Sequence, residues 1–209
     1  MVQPAADIRA TRLHLRRLRR SIPRAERLAA ERAMHRHLRQ MRVFRPGARV
    51  AIYLSMPGEA SLAAGLGAAV RAGTRLYAPR ITSPRRLEMI FLPYAPGVRT
   101  LANMLGIAEP RAGASPRLRV AEFDAIVVPL LGFDRRGVRL GMGAGYYDRA
   151  LRRRLDPARA WRRPRLVGVA YACQELPSID AAPWDVPLDY VVTEKEIVRC
   201  VTLPPPLSR

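Results

Sequence analysis

From Phe123 to Asp134 the chain reads FDAIVVPLLGFD, an almost unbroken apolar run. A strand with one wet face alternates apolar and polar side chains, whereas a strand covered on both faces does not. The run therefore predicts a central strand buried on both sides, with helices above and below a mostly parallel sheet. Matching pieces lie along the rest of the chain. ARVAIYLS (48–55), TRLYAPR (74–80), LEMIFLPY (87–94), RLVGVAY (165–171) and DYVVT (189–193) read as strands. SLAAGLGAAVRAG (61–73) reads as a helix closed by Gly73. Residues 7–42 read as two helices. Ile8, Leu15, Leu18 and Ile22 make an apolar stripe on the first, and Pro23 starts the second, where a first-turn proline loses no hydrogen bond. Leu28, Met34, Leu38 and Met41 supply the buried face of that second helix. The expected fold class is α/β: three layers, α/β/α, with a mostly parallel central sheet and the N-terminal helices packed on it. The 209 residues fit one such domain. Its core is expected over about 7–197, with 198–209 as a tail and with loops at Arg111–Val120 and Asp156–Arg165.

The helix that opens the chain also carries Arg9, Arg12, Arg16, Arg17, Arg19 and Arg20, which read as a solvated face opposite the stripe. They belong to a net charge of +20 in which Lys195 is the only lysine. Such a charge attracts nucleic acid, nucleotides and polycarboxylates alike, so it does not select among them. No apolar run approaches the roughly 18 residues of a membrane span. The arginine-rich start has no apolar segment of the signal-peptide kind. A cytoplasmic, monomeric protein is expected, with Cys173 and Cys200 as two reduced structural thiols. His14, His35 and His37 fall on the N-terminal helices without a matching cluster and are read as solvated, with no metal assigned to them.

Directly after the apolar run comes DRRGVRLGMGAGYYDR, with glycines at 141, 143 and 145. Glycines let backbone amides approach an anion, and a strand–loop–helix turn aims those amides at it. The spacing is neither that of the P-loop nor that of the dinucleotide fingerprint, and no lysine is present to reach a terminal phosphate. Arg139 can take that place with a guanidinium fork. Asp148 can cap amides or hold a magnesium ion that bridges phosphates. Residue chemistry alone leaves two readings open here: an anion site, or a plain strand–helix turn with both tyrosines in the core.

The whole stretch PLLGFDRRGVRLGMGAGYYDR resembles the signature of the 5-formyltetrahydrofolate cyclo-ligase family. Other segments resemble the same family in the expected order. They are VAIYLSMPGEA with Glu59, EMIFLPY, GIAEP (106–110), and VGVAYACQELPSIDAAPWDVPLDYVVTE. The likeness runs over roughly residues 9–195. It departs in three places. The first helix has arginines where relatives often have a lysine. Met142 and Ala144 stand where a basic residue is common, which leaves more phosphate charge to Arg139 and the N-terminal arginines. Trp184 replaces a frequent histidine before Asp185.

The resemblance implies ATP and Mg2+ as cofactors and a reduced folate, polyglutamylated forms included, as substrate. No membrane and no specific nucleic acid are expected as partners. It also implies roles. Arg139 and Tyr147 are the expected catalytic residues. Arg9, Arg12, Arg139, Gly141, Met142, Gly143, Ala144, Gly145, Tyr146 and Asp148 form the expected nucleotide site, with Arg16 as a further helix candidate. Met56, Glu59 and Tyr147 are expected at the folate, and Asp148 and Asp185 at magnesium. Met89 and Phe91 are read as core rather than ligand, and Glu109 as a cap. Two other classes compete: a nucleic-acid binder, for which the charge speaks, and another phosphate-binding α/β enzyme such as a CoA-transferase or sugar-phosphate isomerase relative.

Overall fold

The computed structural model describes residues 5–104, 106–111, 118–156 and 164–201. Residues 202–209 of the expected tail and most of the two expected loops lie outside the described residues, while Val198 and Arg199, expected in the tail, belong to the last strand of the sheet. In chain order the elements are α1 (Ala5–Ser21), α2 (Arg24–Gln40), β1 (Arg49–Ala51), α3 (Ala63–Arg71), β2 (Arg75–Ser83) and β3 (Glu88–Tyr94). Next come β4 (Thr100–Ala102), β5 (Ala108–Pro110), β6 (Ala125–Pro129), β7 (Gly132–Phe133), β8 (Arg139–Leu140) and α4 (Tyr146–Leu151). The last are β9 (Arg165–Val169), β10 (Tyr190–Val192) and β11 (Ile197–Arg199). Among the described residues no helix is long and apolar enough to cross a membrane.

Seven strands form one sheet in the order β11-β10-β9-β6-β1-β2-β3. The inner pairs β10–β9, β9–β6, β6–β1 and β1–β2 are parallel, and both edge pairs are antiparallel. Alternation along the strands sorts the core into two faces. Val50, Val127, Val167 and Val192 point toward Met34 and Leu38 of α2 and Leu66 of α3. Ala51, Ile126, Val128, Leu166 and Val191 point the other way, toward Phe123 and Leu151 at the end of α4. Each fully buried aliphatic side chain contributes about 1.5–3 kcal/mol, so the sheet is held from both sides, in three layers.

The chain leaves β1 for β2 and β3 on one side, but leaves β6 for β9 and β10 on the other. The order reverses between β1 and β6. Loops leaving the carboxyl ends of those strands diverge there and open a crevice, the usual ligand position in sheets of this kind.

Several local expectations change. The apolar run from Phe123 is not one strand. β6 ends at Pro129, which lacks an N–H for the ladder. The carbonyls of Leu130 and Leu131 instead accept bonds from the Gln174 amide at 3.1 and 2.8 Å. The run then resumes as β7, paired with β8. Every residue stays apolar because both halves are buried, so hydropathy conceals the break. Residues 108–110 of GIAEP form β5, paired with β4 rather than a simple turn. Glu109 accepts from the Ile81 N–H and the Asn103 side chain at 2.9 and 2.7 Å, which fastens that hairpin to β2. Phe91 is core, and Met89 packs against it. Of the three histidines only His14 is solvated. His35 stacks on Phe44, and His37 Nδ1 lies 2.9 Å from the Thr193 carbonyl. Cys173 is exposed, and Cys200 is half-buried beside Val198 and Leu188.

Candidate active site

The first wall of the crevice leaves the end of β1. Tyr53 is buried, and its hydroxyl donates to the Ala60 carbonyl at 2.5 Å. Between them the Pro57-Gly58 turn brings Glu59 back on Met56. The Glu59 N–H donates to the Met56 carbonyl and the Met56 N–H donates to Glu59 Oε2, both at 2.9 Å. Burial raises the Glu59 pKa above the usual carboxylate value, against the Met56 N–H and the charge of Arg19, which lower it. Arg19 approaches Glu59 at 3.8 Å.

The second wall follows β8. The segment 141–145 turns sharply: Gly143 (φ 104°) and Gly145 (φ 73°) occupy backbone conformations that a side chain disfavours. Among the described residues the amides of Met142, Gly143, Ala144 and Gly145 donate to no protein acceptor. Free amides in a glycine turn are able to receive an anion. Helix α1 lies across its mouth. Leu15 packs on Leu131 and Leu140, which fixes the register of the helix against the loop. One turn earlier, Arg12 Nε donates to the Gly141 carbonyl at 3.1 Å. Arg16, one turn after Arg12 and next to Leu15, reaches the Met142 sulfur at 3.6 Å.

Arg139 lies behind the loop with its side chain 5% exposed. Its two terminal nitrogens donate to Asp148 Oδ1 and to the Val186 carbonyl. Asp148 Oδ1 also accepts from the Val186 N–H at 3.1 Å. Asp185 Oδ2 accepts from the Ala182 N–H at 2.8 Å. Burial, and next the charge of Asp148, raise the Asp185 pKa, while Arg139 and the Ala182 N–H lower it. The two carboxylates are therefore electrical neighbours. Asp148 Oδ2 and Asp185 Oδ1 remain outside the hydrogen bonds among the described residues. Those two oxygens suit Mg2+, which takes one or two carboxylates and completes its shell with phosphate and water. No group of three or more His, Cys, Asp or Glu side chains converges among the described residues, so an all-protein metal cage is not present there.

Tyr147 joins the two walls. Its ring packs against the core face that contains Ile126. Burial pushes its hydroxyl pKa well up, Glu59 pushes it further, and Arg139 opposes both. Tyr147 thus lies within electrostatic reach of the Glu59 carboxylate and of Arg139.

The structure brings together Arg12, Arg139, residues 141–145, Tyr147, Asp148 and Asp185, with Met56 and Glu59 on the facing wall. Tyr146 opens α4, half-buried. Arg9 is exposed and makes no hydrogen bond or ion pair among the described residues. Trp184 is 69% exposed beside Asp185. Arg19 overturns the reading of a solvated arginine face: it is 4% exposed. Tyr53 and Tyr171 are additional buried neighbours of that arginine. One signal for Arg16 and Arg19 was present in the sequence. Positions 12, 16 and 19 are spaced by four and three and share a helix face with Leu15.

A model of the 5-formyltetrahydrofolate cyclo-ligase family matches residues 4–194. The 5-formyltetrahydrofolate cyclo-ligase of Haemophilus influenzae is 31% identical over 179 residues, 85% of this chain and 92% of that protein. The Escherichia coli K12 protein of the same name is 34% identical over 150 residues, 71% of this chain and 79% of its own. Among solved structures, the 5,10-methenyltetrahydrofolate synthetase of Aquifex aeolicus superposes with a TM-score of 0.75 at 28% identity, covering 97% of this chain and 96% of that one. The synthetase of Mycoplasma pneumoniae superposes with a TM-score of 0.70 at 23% identity, over 90% and 99%, a likeness of fold.

Proposed function

The chain belongs to the 5-formyltetrahydrofolate cyclo-ligase family, and from this premise we propose that it closes 5-formyltetrahydrofolate to 5,10-methenyltetrahydrofolate with conversion of ATP to ADP and phosphate. The observation that carries this reading is the placing of Arg12 over the free amides of the glycine loop, next to the wall that holds Glu59. A cationic phosphate cradle and a carboxylate pocket then share one crevice, which is what a reaction between a nucleotide and a reduced folate requires.

The chemical problem is that an N-formyl group is an amide and its oxygen leaves badly. Transfer of the γ-phosphoryl group to that oxygen turns it into a phosphate ester of an imidic acid. N10 of the folate attacks the formyl carbon, the C–O bond breaks, phosphate departs, and N10 gives up its proton. Such a sequence depends on positioning and charge neutralisation rather than on a protein nucleophile.

In this reading the amides of 141–145 hold phosphate oxygens, and Arg12, Arg16 and the more exposed Arg9 add positive charge from α1. Arg139, anchored by Asp148 and the Val186 carbonyl, is a fixed cation behind the transferring phosphoryl group. Glu59 accepts hydrogen bonds from the folate, with Met56 and Tyr147 packing on its rings. Asp148 and Asp185 would hold Mg2+, whose charge offsets that of the phosphates. The enzyme is read as a cytoplasmic monomer, with reduced folate and its polyglutamylated forms as the small-molecule partner and no specific nucleic acid.

The test is to mix purified protein, Mg-ATP and 5-formyltetrahydrofolate and follow the absorbance of the methenyl product together with ADP release. An ATP-dependent rise, one ADP per product and lost in Arg139→Ala, is expected. A flat trace from folded protein refutes the reading.

A further inference from the structure

Two groups in the crevice look mismatched. Arg19 is 4% exposed, yet its Nε has no hydrogen-bond partner among the described residues. The Glu59 side chain is 9% exposed, and among the described residues only one of its oxygens is tied down, by the Met56 N–H. Burying either charge alone is costly, because an unpaired buried ion loses its hydration without replacement. The two relieve each other across 3.8 Å, Arg19 Nη1 to Glu59 Oε1. That distance is beyond a hydrogen bond, which leaves the lone pairs of Oε1 unclaimed.

We propose that Arg19 is the positioning residue for Glu59: it fixes the carboxylate's negative charge at the folate wall without using up the oxygen that meets the substrate. The proposal rests on the reading of Glu59 as a folate-binding residue. A closer, bidentate arginine would hold the charge equally well but occupy both oxygens. The packing around Gly58 keeps the guanidinium where it is. A Cβ built on that glycine lies 3.5 Å from Arg20 Cγ and 3.6 Å from Arg19 Nε, so the turn rests directly on the two arginine stems.

The groups facing Glu59 are few. Arg19 comes from α1, the buried Tyr53 from the end of β1, and Tyr147 from α4. Behind Tyr53 lie Tyr171, which follows β9, and Glu31 of α2. Tyr171 donates to Glu31 at 3.2 Å. Among the described residues Arg19 is the cation that lowers the Glu59 pKa; Arg20, whose stem rests on the same turn, acts on Arg19 instead. Without Arg19 the carboxyl holds its proton to higher pH, and a protonated Glu59 no longer accepts at both oxygens.

The experiment measures 5-formyltetrahydrofolate binding by calorimetry across the acid range, for wild type, Arg19→Gln, Arg19→Lys, Glu59→Gln and the double variant Arg19→Gln/Glu59→Gln. ATP binding and thermal melting are followed alongside. Arg19→Gln is expected to weaken folate binding about thirtyfold near neutrality, as truncating one partner of a buried pair does. Its acid limb should move to higher pH while ATP binding stays within about twofold of wild type. Arg19→Lys keeps the charge and should return the acid limb toward wild type. The double variant should bind no worse than Glu59→Gln, since Arg19 acts through Glu59. An unmoved acid limb in Arg19→Gln, or penalties that multiply in the double variant, overturns the proposal. If Arg19→Gln does not fold, an acid limb in Arg19→Lys displaced as far as complete charge loss requires overturns it also. Unchanged folate binding in Glu59→Gln would instead remove the folate reading of Glu59 itself.

Discussion

Gly143→Ala separates the glycine loop as a phosphate cradle from the same loop as an ordinary turn. Gly143 has φ 104°, where an L-residue is strained. A Cβ there would lie 3.7 Å from the Arg12 guanidinium carbon, an ordinary contact. Nothing clashes, so the cost is conformational, about 1–2 kcal/mol. For a chain of this size each kcal/mol lowers Tm by about 2–4 °C, which gives a loss of roughly 2–8 °C. The functional effect should be larger than the stability effect. The methyl group stands between the loop and Arg12, and relief of the strain rotates the amides of 143–145 out of the cradle. A KM for ATP raised about tenfold or more, near 1.4 kcal/mol of lost binding, is expected with the folate KM unchanged. Initial rates of methenyl formation at varied ATP and saturating folate measure it. Gly67→Ala in α3 is the control: its Cβ meets Arg71 Nη1 at 3.5 Å, an ordinary contact, and its φ is not positive, so the KM for ATP should stay near wild type. A lowered Tm in Gly143→Ala with an unchanged KM for ATP would refute the cradle.

Two further outcomes test the framework. Gln174→Ala strips partners from the Leu130 and Leu131 carbonyls and the Tyr171 N–H, all buried, and should cost at least about 3 kcal/mol. Urea melts should show a lower midpoint at unchanged slope, and a midpoint equal to wild type contradicts the role given to this side chain. In alkylation at mildly alkaline pH, Cys173 should be labelled before Cys200, because Cys173 is exposed while burial, and then Asp189, push the Cys200 thiol up to about 12. Peptide mass spectrometry at short times reads the order, and prior labelling of Cys200 refutes it.

The fold was legible where one residue's burial depends on its own strand or helix. Val127 and Ile126 point to opposite faces, yet both are apolar because both faces are covered. The mostly parallel, three-layer arrangement follows from that. The break after Pro129 was not legible from hydropathy, because it is completed by Gln174, more than forty residues later in the chain. Pro129 itself was the available signal, since proline ends a ladder. The Glu109 hairpin is the same case: its carboxylate is positioned by Ile81 of β2, a partner that local pattern does not reveal.

The site divides along the same line. The glycine loop was readable because its conformation is written in its own residues, and positive φ at Gly143 and Gly145 is what those glycines permit. The arginines of α1 were readable only as charge. Arg9 is solvated, Arg12 holds a loop carbonyl, and Arg19 is buried against Glu59, although all three are the same residue on one helix. Composition cannot divide them, because the deciding term is the partner: none among the described residues for Arg9, a backbone oxygen 129 positions away for Arg12, a buried carboxylate for Arg19. Helical spacing recovers part of this, since 12, 16 and 19 share the face of Leu15 and that face is buried. A buried arginine must have a counter-charge, because guanidinium keeps its proton under any physiological condition. The buried face of α1 therefore requires an acid from elsewhere in the chain. Glu59 meets that requirement, and the ion pair that makes Arg19 tolerable in the core also lowers the pKa of a carboxyl that burial raises.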